Sequence, residues 1–192
     1  MAMTTAGVET RAAILDRAVD LASREGLEGL TIGGLATELE MSKSGLFAHF
    51  GSKRELQLAT VDAATARFRE AVLDPASAAE EGAPRLRAMA AAYLAHVGSG
   101  AYSGGCFWAA TSTEFDDRPG PVRDAIAAAL DAWLGELERQ ARLAGVADPE
   151  RLGFELYALV IGANSRYRLS GDRRVFDHAR RSVDRLLADL PG

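Results

Sequence analysis

The chain has one cysteine and three histidines in 192 residues, and only two of its 22 basic residues, Lys43 and Lys53, are lysines. A lone Cys106 closes no intrachain disulfide and cannot build a cysteine-cluster zinc site. His49, His96 and His178 stand far apart, and neither an HExxH nor a GxxxxGK[ST] string occurs, so no metal site and no phosphate-cradling loop are expected. No apolar run approaches the roughly 18 residues that span a bilayer, so no membrane partner is expected. Met1 to Glu9 has neither a basic n-region nor an apolar h-region, which makes a cytoplasmic location the expectation. Positive charge is also short: 27 acidic residues against 22 basic ones leave a net charge of −5, unlike a basic nucleic-acid coat.

Alanine is abundant, with 37 residues, and it favours helix. Hydrophobic content of 48% and charged content of 26% suit a folded domain. Apolar residues recur at three-to-four spacing through Thr10–Glu25, Thr31–Leu39, Ser52–Leu73, Arg85–Val97, Val122–Leu143, Pro149–Leu169 and Asp172–Leu190. Shorter helices are expected at Ser42–His49 and Cys106–Glu114. The pattern predicts an all-α fold of about nine helices without strands or a fixed repeat. Gly98 to Ser103 fails the dinucleotide fingerprint at its last glycine and follows a helix rather than a strand, so it reads as a mobile loop.

Thr31 to Glu55 carries the functional signal. Thr31 and Ser42 are placed to cap two short helices across a polar turn, and Ser52-Lys53-Arg54-Glu55 is a capping box that opens the next helix. That outline is a helix-turn-helix, whose second helix enters the DNA major groove. Its leading face offers Ser42, Lys43, Ser44 and Gly45, which can approach and donate to bases or phosphates, while Leu46 and Phe50 anchor it inward. Lys53 lies at a helix N-terminus, which also favours phosphate. Charge is local: Ser42 to Arg54 holds Lys43, Lys53 and Arg54 and no acidic residue.

Residues from about Glu9 to Val61 resemble the DNA-binding domain of the TetR-type transcriptional regulators. The resemblance rests on the leading Thr31-Ile32, the run Met41-Ser-Lys-Ser-Gly-Leu-Phe47, and the ending His49-Phe-Gly-Ser-Lys-Arg-Glu-Leu56. It implies that Thr31 touches phosphate, that Ser42, Lys43 and Ser44 face the groove, and that Phe47, His49 and Lys53 brace the backbone. Phe47 stands where the family usually has tyrosine, which removes a phosphate-bonding hydroxyl. Gly33-Gly34 replaces a more helix-favouring pair. The expected organisation is a flexible tail over 1–8, a helix-turn-helix domain over 9–55, and an effector-binding and dimerisation domain over 56–192.

In the second domain, Met89, Tyr93, His96, Phe107, Trp108, Thr111 and Phe115 combine aromatic bodies with few polar groups, as a small-molecule pocket does. Cys106 beside them is read as a buried thiol in preference to a redox sensor. Leu152, Leu156, Leu159, Ala163 and Tyr167 form one stripe, and Val175, Ala179, Val183 and Leu186 another; helices apolar on more than one face require a larger core or a second subunit. The expected protein is a homodimeric regulator, a repressor released from a palindromic duplex operator by a small-molecule effector. It needs no cofactor, no metal and no catalytic residue. The alternative is a small all-α enzyme or carrier using the aromatic residues.

Overall fold

The computed structural model describes residues 5–190, and every regular element among them is helical. In chain order the helices are α1 (Thr5–Gly29), α2 (Ile32–Glu38), α3 (Lys43–Phe50), α4 (Lys53–Phe68), α5 (Ala83–Gly98), α6 (Phe107–Phe115), α7 (Pro121–Leu143), α8 (Pro149–Ser170) and α9 (Arg174–Leu186). The α4 helix runs on without a break through a π-helical turn, Arg69–Leu73, and a last α-turn, Asp74–Ala76. Residues 5–8, expected in a tail, form the first turns of α1; the remainder of that tail, residues 1–4, lies outside the described residues.

The predicted hydroxyl caps are in place. Thr31 Oγ1 accepts the Gly34 N–H at 3.0 Å, Ser42 Oγ the Gly45 N–H at 3.0 Å, and Ser52 Oγ the Glu55 N–H at 3.1 Å. Each such cap contributes about 1 kcal/mol, which matters most for α2 and α3, both too short to stand alone. The last helix is shorter than its apolar pattern predicts. Leu187 leaves helical geometry, and the carbonyls of Leu187 and Leu190 accept from the Arg87 guanidinium at 2.9 and 2.6 Å.

The chain divides into two compact units. The first comprises the residues up to Thr65 together with Tyr102–Ile126. Its core joins Ile14, Val19, Leu27, Leu35, Leu46 and Leu56 with Phe107 and Trp108. Within it, α1 is held at three places to α6 and the loop that precedes it. Asp20 accepts the Ser103 N–H and Oγ–H at 2.7 and 3.0 Å, and Ser23 Oγ accepts the Gly104 N–H at 3.0 Å. At Gly26 the backbone turns left-handed (φ 77°), which breaks α1 and frees the next N–H groups. Glu114 receives them: Leu27 N–H donates to Oε2 at 2.6 Å and Glu28 N–H to Oε1 at 3.0 Å. A Cβ at Gly26 would meet that carboxylate, and one at Gly104 would overlap the backbone of Ser23 and Arg24.

The second unit comprises Ala66–Ala101 and the residues from Ala127 onward. Phe68, Val72, Leu86, Met89, Tyr93, Trp133, Leu137, Leu156, Val160 and Phe176 fill its core. Buried Gln140 bridges elements, accepting the Gly82 N–H at 2.7 Å and donating to Glu136 at 2.8 Å. Arg173 donates to the Gly98 carbonyl at 2.6 Å and lies over the rings of Tyr167 and Phe176.

These contacts make two stability predictions. Gly104→Ala should lose about 3 kcal/mol, because the new methyl has only backbone to displace. Glu114→Ala should lose about 2 kcal/mol by orphaning two N–H groups, whereas Glu114→Gln, which keeps one acceptor oxygen, should lose less. Urea denaturation midpoints check both.

Candidate nucleic-acid interface

Helix α3 is set by what it buries. Leu46 is fully buried and Phe50 nearly so, with the Arg11 guanidinium 5.1 Å from the Phe50 ring centre. The opposite face is open: Ser42, Lys43, Ser44 and Phe47 are exposed, and His49 is partly so. The turn from α2 places Glu40 at φ 53°, the one non-glycine residue with positive φ among those described. It is closed by Met41 N–H donating to the Ala36 carbonyl at 2.8 Å.

The Ser42 hydroxyl oxygen caps α3 and lies 3.3 Å from Ser44 Oγ, so the two hydroxyls form one polar edge. The stem of Lys43 crosses α2 at Gly33, where a Cβ would stand 3.3 Å from Lys43 Cε. Gly33, the second residue of α2, thus leaves room for the lysine stem. Phe47 keeps 54% of its surface in solvent on an otherwise polar face. A phenyl ring there matches the apolar contact that a thymine methyl or a sugar offers.

Lys53 has a more constrained position than its place in the sequence implies. Its ammonium donates to the Glu28 carbonyl at 2.7 Å and to Glu28 Oε2 at 2.9 Å. Gln57 donates to the Leu27 carbonyl at 2.8 Å and to Glu28 Oε1 at 3.1 Å. These donors, Lys53 first, hold the Glu28 carboxyl below the usual carboxylate range. An ammonium carries three N–H donors, so one remains for a phosphate. The same region forms a groove of about 660 Å³ that adds Arg118 and Arg123 to Lys53 and Arg54. Sequence reading missed these two arginines because they lie more than sixty residues beyond the motif. Thr31 is exposed at the N-terminus of α2, with its oxygen already accepting the Gly34 N–H.

The seven expected pocket residues are divided between the two units. Phe107, Trp108, Thr111 and Phe115 belong to the first unit, and Met89, Tyr93 and His96 to the second. Six of the seven are buried and serve the two cores; His96 is part-buried, and burial pushes its pKa down. Cys106 is buried as expected.

Of the expected dimer stripes, Leu152, Leu156, Ala163, Ala179 and Val183 are buried within the chain itself. Leu159, Tyr167 and Val175 are half-buried, and Leu186 is exposed. The open apolar face of α8 and α9 is instead marked by Phe154, 66% exposed, which with Ala158, Leu159 and Leu186 lines a shallow groove of about 380 Å³ flanked by Glu155 and Arg185. Three-to-four spacing marks apolar faces, and the face it found first is the one the second unit uses for itself.

Among the described residues there is no group of three or more His, Cys, Asp or Glu placed to hold a metal ion, and no helix is long and apolar enough to cross a membrane.

Comparison with known proteins bears on this geometry. Residues 14–60 match the family model described as bacterial regulatory proteins, tetR family, and residues 82–183 match that of the tetracyclin repressor-like C-terminal domain. No curated protein matches the chain. Among solved structures, a TetR transcriptional regulator from Chloroflexus aurantiacus J-10-FL is 22% identical with a TM-score of 0.88, the alignment covering 97% of this chain and 98% of that one. A TetR-family regulator from Cytophaga hutchinsonii is 20% identical with a TM-score of 0.81, covering 99% and 98%. AibR, solved in complex with isovaleryl coenzyme A and operator DNA, is 26% identical with a TM-score of 0.74, covering 92% and 98%. On the two family matches, the chain belongs to the TetR family of bacterial regulatory proteins.

Proposed function

We propose that the protein is a homodimeric, ligand-responsive transcriptional repressor that acts in the cytoplasm on a palindromic duplex operator. The observation that carries this reading is the exposed edge of α3, where Ser42, Lys43, Ser44 and Phe47 face outward from a helix pinned by Leu46 and Phe50. Small hydroxyls admit the helix to the groove, the ammonium donates to a base edge or phosphate, and the phenyl meets apolar groups. Thr31, His49 and Lys53 hold the DNA backbone around it. The helix-turn-helix domain covers 9–55, and effector binding and dimerisation belong to 56–192.

The open face of Phe154, Ala158, Leu159 and Leu186 supports the dimer, since a second copy can cover exposed apolar side chains of one chain. A two-fold protein then places its two α3 helices about 34–36 Å apart, in successive major grooves. AibR, solved with both a small molecule and operator DNA, supports a regulator answering to two ligands. An effector that binds better to the state with splayed α3 helices draws the population there and weakens operator binding. Helix α4 is the natural lever, because it begins at Lys53 in the DNA-binding unit and continues without a break to Ala76.

Duplex binding over a salt series tests the reading. Affinity should fall steeply with salt, and Lys53→Ala should weaken all sequences about equally while lowering the salt slope by about one. Ser44→Ala should change which bases are preferred. A Lys53→Ala variant that altered preference would contradict these roles. For the dimer, Phe154→Glu with Leu186→Glu should sediment as monomer and lose operator affinity; an unchanged dimer would contradict the interface.

A further inference from the structure

The core of the second unit contains an unmet hydrogen-bond donor. Trp133 is 5% exposed, and its indole Nε1 is the one buried side-chain nitrogen or oxygen without a partner among the described residues. Indole is a donor only, so what it lacks is an acceptor. Buried polar groups in folded proteins are nearly always satisfied, and an exception calls for a physical reason.

The surroundings point to one. Phe68, Tyr93 and Trp133 meet edge to face, with ring centres 4.9 Å apart for Phe68–Trp133, 5.0 Å for Phe68–Tyr93 and 5.3 Å for Tyr93–Trp133. The His96 imidazole stands edge-on to Phe68 at 6.2 Å. The π-helical turn, Arg69–Leu73, begins at the residue after Phe68. Such turns insert an extra residue into a helix and are frequent at functional sites. Phe68, which touches each of the other three rings, therefore sits where α4 changes its winding.

We propose that this cluster is the effector site, and that it takes a neutral, ring-sized, largely apolar molecule whose single carbonyl-type acceptor receives the hydrogen bond of Trp133 Nε1. The proposal rests on the reading of the protein as a ligand-responsive regulator. Rings set edge to face give an entering ring the same kind of contact. The requirement for neutrality follows from the lining. No Asp, Glu, Lys or Arg is buried in this unit among the described residues. Burial also favours the uncharged imidazole of His96. Gln140, one of its few buried polar side chains, is already committed to Gly82 and Glu136. A charged ligand would lose its hydration without gaining an opposite charge. Parting Phe68 from Trp133 displaces the end of the α-helical part of α4, the helix that starts at Lys53.

The chain has two tryptophans, so its indole N–H region in a proton–nitrogen correlation spectrum holds two signals, and Trp108→Phe assigns the one from Trp133. The full-length protein is titrated with acetophenone, with ethylbenzene, which has similar shape and no acceptor, and with benzoate. Acetophenone should bind saturably and move the Trp133 indole proton downfield. Ethylbenzene should bind at least about tenfold more weakly, and benzoate more weakly still. Trp133→Phe, which keeps an aromatic ring and removes the donor, should erase the preference for acetophenone over ethylbenzene. An unmoved indole signal, equal binding of ethylbenzene, or tighter binding of benzoate overturns the proposal, and the wild-type titrations decide this even if the variant fails to fold. Duplex binding without added ligand is measured beside them. Intact duplex binding with no acetophenone response overturns the site alone, whereas absent duplex binding overturns the regulator reading.

Discussion

The Glu114 carboxylate, at the C-terminal end of α6, accepts the two backbone N–H groups that the left-handed turn at Gly26 releases. Much of the DNA-binding unit's geometry depends on that capture. It fixes Leu27 in the core and presents the carbonyl and carboxylate of Glu28 to Lys53 and Gln57 at the start of α4. The end of α1, the start of α4 and the end of α6 are thus joined through two adjacent residues. The glycines at 26 and 104 are part of the same arrangement, because a side chain at either would enter the space that the α1–α6 contact requires.

With that frame set, α3 can be short. It buries Leu46 and Phe50, starts on a serine cap, and leaves its other face to solvent. Such a helix is held almost entirely by its neighbours. The exposed lysine, the Ser44 hydroxyl and the phenyl ring on that face contribute little to folding, whereas the Ser42 hydroxyl caps the helix. An overall charge of −5 is compatible with a DNA-binding edge because the positive residues lie together along this edge and its flank, where Arg118 and Arg123 join Lys53 and Arg54.

Much of the fold was legible because its helices begin and end on local signals. Thr31, Ser42 and Ser52 announced three helix starts, and the hydroxyl of each makes its cap. The helix-turn-helix was legible for the same reason, as a short capped helix with a polar turn before it. What the pattern could not carry was anything decided by residues distant in sequence. Lys53 is held by a residue 25 positions earlier, and the stem of Lys43 in the next helix passes close over Gly33. The aromatic residues read as one pocket fall into two cores. Apolar periodicity in α8 marked more than one face, with Phe154 beside the Leu152 and Leu156 stripe, but not which face the chain would bury and which it would leave open. The π-helical turn after Phe68 leaves no periodic trace, because one extra residue only shifts the phase.

In the proposed dimer, two copies of α3, related by a two-fold axis, read duplex DNA. Selection of bound duplexes from a random-sequence pool by the purified wild-type protein tests it most directly. One inverted repeat should be enriched, with half-sites centred about 10 base pairs apart or at a multiple of that spacing, and the enrichment should be lost when Ser42, Lys43 and Ser44 are together replaced by alanine. Recovery of no motif, or of a motif without two-fold symmetry that survives the triple replacement, would contradict it.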